Sequence, residues 1–229
     1  MKSGAKTVGL CSGGFIMRNR FALIAVVASV VFGLAIAQDV EAKGKLSFNG
    51  NFSGDNAGVG FHRIVVAAPN VVPAFRAQIE KRFQNYVKKY SRGRTEVVRF
   101  EDVMPQKDSY SAKEVLKQLK ANNFDGAVII DIQQNLRRVV DKDSPDVMPS
   151  DMPKALQFAA SHRHQPAYGA KYQPTTVRVF DLNSGKVVFE GSGFVNATPS
   201  SKKWHKLSGD FLALKLAKYL RKGSLLAPR

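Results

Sequence analysis

Residues 111–132 read SAKEVLKQLKANNFDGAVIIDI, and this stretch sets the fold class. Ser111 and Glu114 have the spacing of a capping box, in which each side chain satisfies a backbone N–H at the start of a helix. Val115, Leu116 and Leu119 supply the apolar stripe of that helix, and Asn122-Asn123 its exit. The run GAVIIDI at 126–132 is apolar on both faces, as a strand in the middle of a sheet must be. A helix that feeds directly into a strand covered on both sides belongs to an α/β layer structure.

Working outward, Arg63 to Ala68 (RIVVAA) is a short β-branched strand stopped by Pro69. Pro73 then sits as the first residue of a helix, where its missing N–H is not needed. Phe75, Ile79, Phe83, Tyr86, Val87 and Tyr90 recur at spacings of three and four and line one face, with basic residues on the other. Gly93 follows as a stop. Thr95 to Phe100 (TEVVRF) is a second strand, and Pro105 marks a turn. On the far side, Thr176 to Leu182 and Lys186 to Gly191 alternate about Asn183-Ser184-Gly185, which is a hairpin. A last helix runs from about Ser208 to Lys222, with Phe211, Leu212, Leu214, Leu216, Tyr219 and Leu220 as its apolar side. The order β-α-β-α-β, insertion, hairpin, α predicts a single-domain α/β sandwich. Its sheet is mixed, of about five strands, with three helices. Residues 133–175 form an irregular insertion rich in proline, with a strand extension at Arg137 to Val140 and one short helix around Lys154 to Ser161.

The amino terminus assigns the compartment. FALIAVVASVVFGLAIA at 21–37 is an apolar run behind Arg18 and Arg20, the layout of a secretory signal peptide. Ala35-Ile36-Ala37 offers one exit and Val40-Glu41-Ala42 a second. Met17 is an alternative initiator. Residues 38–60, rich in Gly, Asn and Ser, read as a flexible leader, with the ordered domain at 61–229. The single cysteine, Cys11, precedes the apolar run, so a lipoprotein anchor is not expected there. The mature chain would lack disulfides, thiolate chemistry and cysteine metal sites. No further transmembrane segment is expected, and the predicted location is periplasmic or secreted.

Charge narrows the partners. The chain carries 35 Lys and Arg against 18 Asp and Glu. Removing residues 1–42 leaves 31 against 16, a net of +15. Long-range attraction then favours acidic partners: an anionic envelope polymer, a lipid surface, or an acidic protein complex of the envelope, with no sign of specific nucleic-acid recognition. Two segments concentrate the charge. Arg76, Lys81, Arg82, Lys88, Lys89, Arg92 and Arg94 stand against Glu80 alone along the first helix and its exit, and Lys202, Lys203, Lys206, Lys215, Lys218, Arg221 and Lys222 stand against Asp210 in the carboxy-terminal segment, with Trp204 beside Lys202 and Lys203. Sharing one face, they would form a cationic surface with an aromatic for stacking.

Catalytic patterns are sparse. His162 and His164 can share a metal on an extended backbone, with His62, His205 or Asp151 as further ligands, but spacing places no third one. Gly191-Ser192-Gly193 lacks the spacing of a nucleophile elbow and reads as a strand end or bulge. No phosphate-cradling glycine loop occurs and no cofactor is implied. Asp131 stands at the carboxyl end of the central strand, where open α/β sheets place ligands. Otherwise it is a solvated strand end, and Asp125 a turn residue.

The opening strand at 63–68, the helix exit and strand NFDGAVII at 123–130 and the hairpin VFDLNSGKVVF at 179–189 together resemble a class of small exported bacterial α/β domains. The TolB amino-terminal domain, CsgG and LpoB are of this class. The resemblance implies a non-enzymatic adaptor, assembly or regulatory factor of the cell envelope. Many relatives are lipoproteins, and this chain lacks a usable lipobox. The alternative is a metal-dependent or other hydrolase built on the loop at 151–164.

Overall fold

Ile64, Val65 and Val66 present branched side chains to both sides of a strand, so two apolar layers must cover it. The computed structural model describes residues 46–53, 60–71, 73–104, 109–132, 148–161, 173–195 and 202–227, of which 202–207 by backbone only. All lie in the second of two compact units of the chain, Lys45–Arg229. In chain order the elements are β1 (Ser47–Phe52), β2 (Arg63–Ala67), α1 (Pro73–Ser91), β3 (Glu96–Arg99), α2 (Phe100–Val103), α3 (Ala112–Ala121), β4 (Gly126–Ile132), α4 (Met152–Ser161), β5 (Gln173–Asp181), β6 (Val187–Val195) and α5 (Lys202–Lys222). The sheet order is β1-β6-β5-β4-β2-β3. Strand β2 is parallel to both β3 and β4, and the remaining pairs are antiparallel.

Because β3 and β4 flank β2, the two crossovers travel in opposite directions across the sheet. Right-handed connections then put α1 on one face and α3 on the other. Packing agrees: Ile64 and Val66 share a cluster with Phe75, Ile79, Phe83 and Val87 of α1. Val65 and Ala67 join Val115 and Leu119 of α3. The first layer also takes α5 through Leu212, Leu216 and Leu220. The second takes α4 through Leu156 and Phe158. Every residue of β4 is buried, as its two-sided apolar run predicts. The capping box forms as read: Glu114 N–H donates to Ser111 Oγ, and Ser111 N–H to the Glu114 carboxylate.

Four expectations change. The leader at 38–60 contains a sixth strand, β1, paired to β6 along its whole length. Phe48 and Phe52 alternate with outward Asn49 and Asn51, and the two rings pack against Tyr219 at 5.9 and 6.4 Å. Strand propensity is low in this Asn- and Gly-rich segment, and tertiary burial of two phenylalanines overrides it. The short helix expected around Lys154 to Ser161 forms as α4 but begins two residues earlier, at Met152, with Asp151 accepting from Lys154 N–H at 3.2 Å; the strand extension at 137–140 lies outside the described residues. Pro153 therefore sits in a first helical turn, where it is tolerated, instead of breaking the chain. Strand β5 starts at Gln173, and Pro174 lies beyond the β4 ladder, paired with β6 alone. Finally α5 starts at Lys202, not Ser208.

Gly191 to Gly193 is neither a strand end nor a bulge but mid-strand in β6. A Cβ on Gly193 would collide with the Ser47 carbonyl of β1. Gly193→Val should therefore loosen β1, lowering stability by about 1–3 kcal/mol in a denaturant melt. Leu119→Ala, which removes buried volume in the layer of α3 on the other face of the sheet, is the comparison that separates steric displacement from lost packing.

Candidate anion-binding face

Helix α1 buries Phe75, Ile79, Phe83 and Val87 and leaves Lys81, Lys88 and Lys89 exposed. Helix α5 buries Leu212, Ala213, Leu216, Ala217 and Leu220, leaving Lys215, Lys218, Arg221 and Lys222 exposed. The two lie side by side. A Cβ on Gly209 would stand 3.3 Å from both Ile79 and Phe75, so the backbones approach closely there. Tyr86 Oη donates to Asp210 at 3.0 Å, and Arg82 Nε lies 3.5 Å from the same oxygen. At the far end the Arg221 guanidinium stands over the Tyr90 ring at 5.6 Å. Early α5 thus meets early α1 and late α5 meets late α1, so both helices run in the same sense with their outer cations on one surface.

The sequence of each helix holds a single carboxylate, and neither neutralises this surface. Glu80 is buried, and Asp210 is engaged by Arg82 and Tyr86. Packed helices lie about 8–10 Å apart, close to the Debye length of physiological salt. The two rows therefore act on an approaching anion as one field. Burial first, and Asp210 second, push the Tyr86 phenol up, so it stays protonated as the donor that ties the helices.

Of the residues expected on this face, Lys81, Lys88 and Lys89 are there, and Arg82 is half-buried at the helix seam. Arg76 is not. It is 6% exposed, and its guanidinium donates to the carbonyls of Ala68 and Pro69 at 3.1 and 3.3 Å. Position 76 adjoins the apolar stripe, and the turn after β2 folds over it. Lys202, Lys203 and Trp204 form the first turn of α5, and their side chains lie outside the described residues. So do His162 and His164. Asp151, a possible metal ligand by sequence, caps α4. Among the described residues no three His, Cys, Asp or Glu side chains gather as a metal site.

Asp125 is the turn residue expected, accepting from the N–H groups of His62 and Arg63 at 2.7 and 2.9 Å. Asp131 departs from the solvated strand end: it is fully buried, and accepts from Asn70 Nδ2 at 2.8 Å and Met148 N–H at 3.3 Å. A second buried set went unread. Glu80, 1% exposed, accepts from Ala68 N–H at 3.1 Å, while Arg76 faces Glu101 at 3.8 Å and Arg99 holds Glu101 at 2.7 Å. Burial and the neighbouring Glu101 push the Glu80 carboxyl up to about 8, against the opposing pull of Arg76. The signal was present in the sequence, since Arg76 and Glu80 stand four apart and adjoin the apolar stripe. The cleft they line is only about 10 Å3, the size of a water, so these carboxylates do not open on a substrate-sized space.

No family model matches the chain, and no curated protein matches it. Solved structures do. A PelC dodecamer from Paraburkholderia phytofirmans aligns at 13% identity and a TM-score of 0.41, covering 81% of this chain and 100% of that one. Lipoprotein GNA1162 from Neisseria meningitidis aligns at 11% identity and 0.33, over 70% of this chain and 95% of that one. Protein XCC0632 from Xanthomonas campestris aligns at 10% identity and 0.33, over 76% and 91%.

The Glu80 site gives a pH signature. A carboxyl whose folded value is about 8, against an ordinary 4.5, binds its proton more tightly in the folded state. Its contribution is whole below the ordinary value and is lost as pH rises toward 8, in total of order 5 kcal/mol. Glu80→Gln should remove this part of the pH dependence, so that wild type and variant diverge as pH is raised in parallel urea titrations. Parallel curves from pH 4 to 9, on the scale of about 1 kcal/mol, would refute a protonated Glu80.

Proposed function

We propose that the protein is an exported, non-enzymatic binding or assembly factor of the cell envelope that uses the α1–α5 face to hold an anionic partner. One observation carries this reading: two helices far apart in sequence lie side by side and turn Lys81, Lys88, Lys89, Lys215, Lys218 and Lys222 outward. The partner would be a phosphate-rich or otherwise acidic envelope polymer or an anionic lipid surface. Its described outer residues are mostly cations, so contact would be electrostatic and sensitive to salt. Export is supported by the run at 21–37, and among the described residues no helix is long and apolar enough to cross a membrane. The element order at 63–189, with its resemblance to the class of the TolB amino-terminal domain, CsgG and LpoB, fits an adaptor of this kind. The hydrolase alternative draws on the loop at 151–164, of which Asp151 is engaged at the start of α4 and His162 and His164 lie outside the described residues.

Reversing Lys88, Lys89, Lys218 and Lys222 to Glu should weaken binding to polyphosphate and to vesicles rich in anionic lipid by a hundredfold or more. The basis is about 1 kcal/mol for each cation near an anionic surface. Wild type that leaves a polyphosphate resin at the same salt as an uncharged protein of its size would end the proposal. Export has its own check. Amino-terminal sequencing of the protein recovered from outside the cytoplasm should begin at Gln38 or Lys43, and a chain that retains 21–37 would contradict cleavage.

A further inference from the structure

On the side of the sheet that carries α3 and α4, those helices cover β2, β4 and the turn end of the hairpin. Beyond them β5, β6 and β1 line a groove of about 460 Å3, within the range of small-molecule sites. Its floor is a grid set by strand register. Asn49 stands opposite Ser192 and Ser192 opposite Thr176; Asn51 stands opposite Glu190 and Glu190 opposite Arg178. Six polar side chains thus occupy two rows of three, about 5 Å apart across the strands and roughly 7 Å along them.

The chemistry of this floor differs from the rest of the surface. Arg178 donates twice to Glu190 Oε1, at 3.1 and 2.8 Å, and also to the carbonyls of Met148 and Pro149. Its charge is thereby spent, and the two residues form a neutral, anchored pair. Asn49, Asn51, Thr176 and Ser192 carry amides and hydroxyls with no side-chain partner among the described residues. Each such group both donates and accepts. The half-buried Phe194 belongs to the same face, one row beyond Ser192. A ladder of three antiparallel strands holds all of these more rigidly than a loop would.

We propose that this groove binds an uncharged glycan. Sugar hydroxyls need alternating donors and acceptors on a fixed, neutral surface, and this floor offers them, with Phe194 one row beyond its lining. Among the described residues a polyanion finds no free cation here, and it would go to the α1–α5 face. A peptide in a groove needs apolar pockets for its side chains, and the floor has none. The inference is independent of the anionic-partner reading, because the two sites use different residues and only the cationic one weakens with salt.

The test is affinity electrophoresis of the full chain through gels containing dextran or mixed-linkage β-glucan, with titration of chitohexaose in solution. Salt near 0.5 M, where the Debye length is roughly 4 Å, silences the cationic face. Wild type should be retarded by at least one of these neutral glycans at that salt. Asn49→Ala, Asn51→Ala and Ser192→Ala together should cut the affinity about tenfold or more, the loss expected for three modest hydrogen bonds. Thermal melting should be nearly unchanged, since all three sites are exposed. Ser192→Trp, which fills the groove from an exposed position, should abolish retardation, and the four-lysine reversal should leave it intact. Failure of wild type to bind any of the three glycans overturns the proposal. So does equal binding by the triple variant, or binding that disappears at high salt together with the four lysines.

Discussion

The architecture depends on the two-sided burial of β2 and β4. Ile64 and Val66 face one way, Val65 and Ala67 the other, and neither set reaches solvent. Backbone groups between them are satisfied by parallel ladders, which require crossover helices instead of tight turns. With β2 between β3 and β4, handedness sends those helices to opposite faces. The later elements then complete layers already begun, α5 beside α1 and α4 beside α3.

From that placement the charge distribution follows. Helix α5 approaches α1 through Gly209, Ala213 and Ala217, small residues that let the backbones come close. Long basic side chains are thereby driven to the outer surface of both helices, where they remain solvated. The edge of the same layer is closed by Phe48, Phe52, Phe189 and Tyr219, whose rings interlock at 5.2 to 6.4 Å. That aromatic cluster keeps β1 on the sheet. It also sets the alternation that turns Asn49 and Asn51 to the opposite side, toward the neutral groove. One protein thus carries a cationic surface and an uncharged polar one on opposite faces of a single sheet.

Two buried polar sets stand apart from both surfaces, at the carboxyl ends of β2 and β4. Asn70 with Asp131, and Arg76 with Glu80 and Glu101, join the turn after β2 to its neighbours. A buried polar group costs free energy unless partners satisfy it, and among the described residues Glu80 Oε2 has no hydrogen-bond partner. The open end of an α/β sheet is where ligands are commonly found. Here the position is filled from within by an arginine, and the cleft that remains holds no more than a water.

The elements with strong local signals were legible from the chain alone: the capped helix into GAVIIDI, the α1 stripe, the hairpin and the excess of positive charge. Each is set by contacts within about twenty residues, by spacing and turn chemistry that act before any long-range partner arrives. Strand β1 was not legible, because its pairing partner β6 lies some 140 residues away and its Asn and Gly content argues locally against a strand. The burial of Arg76, Glu80 and Asp131 was hidden for the same reason, since only the turn after β2 and the neighbouring strands enclose them. Composition determined that the protein is basic. Whether its cations form one face and its amides another depended on which helices and strands became neighbours, and that is decided by burial of apolar surface across the whole chain.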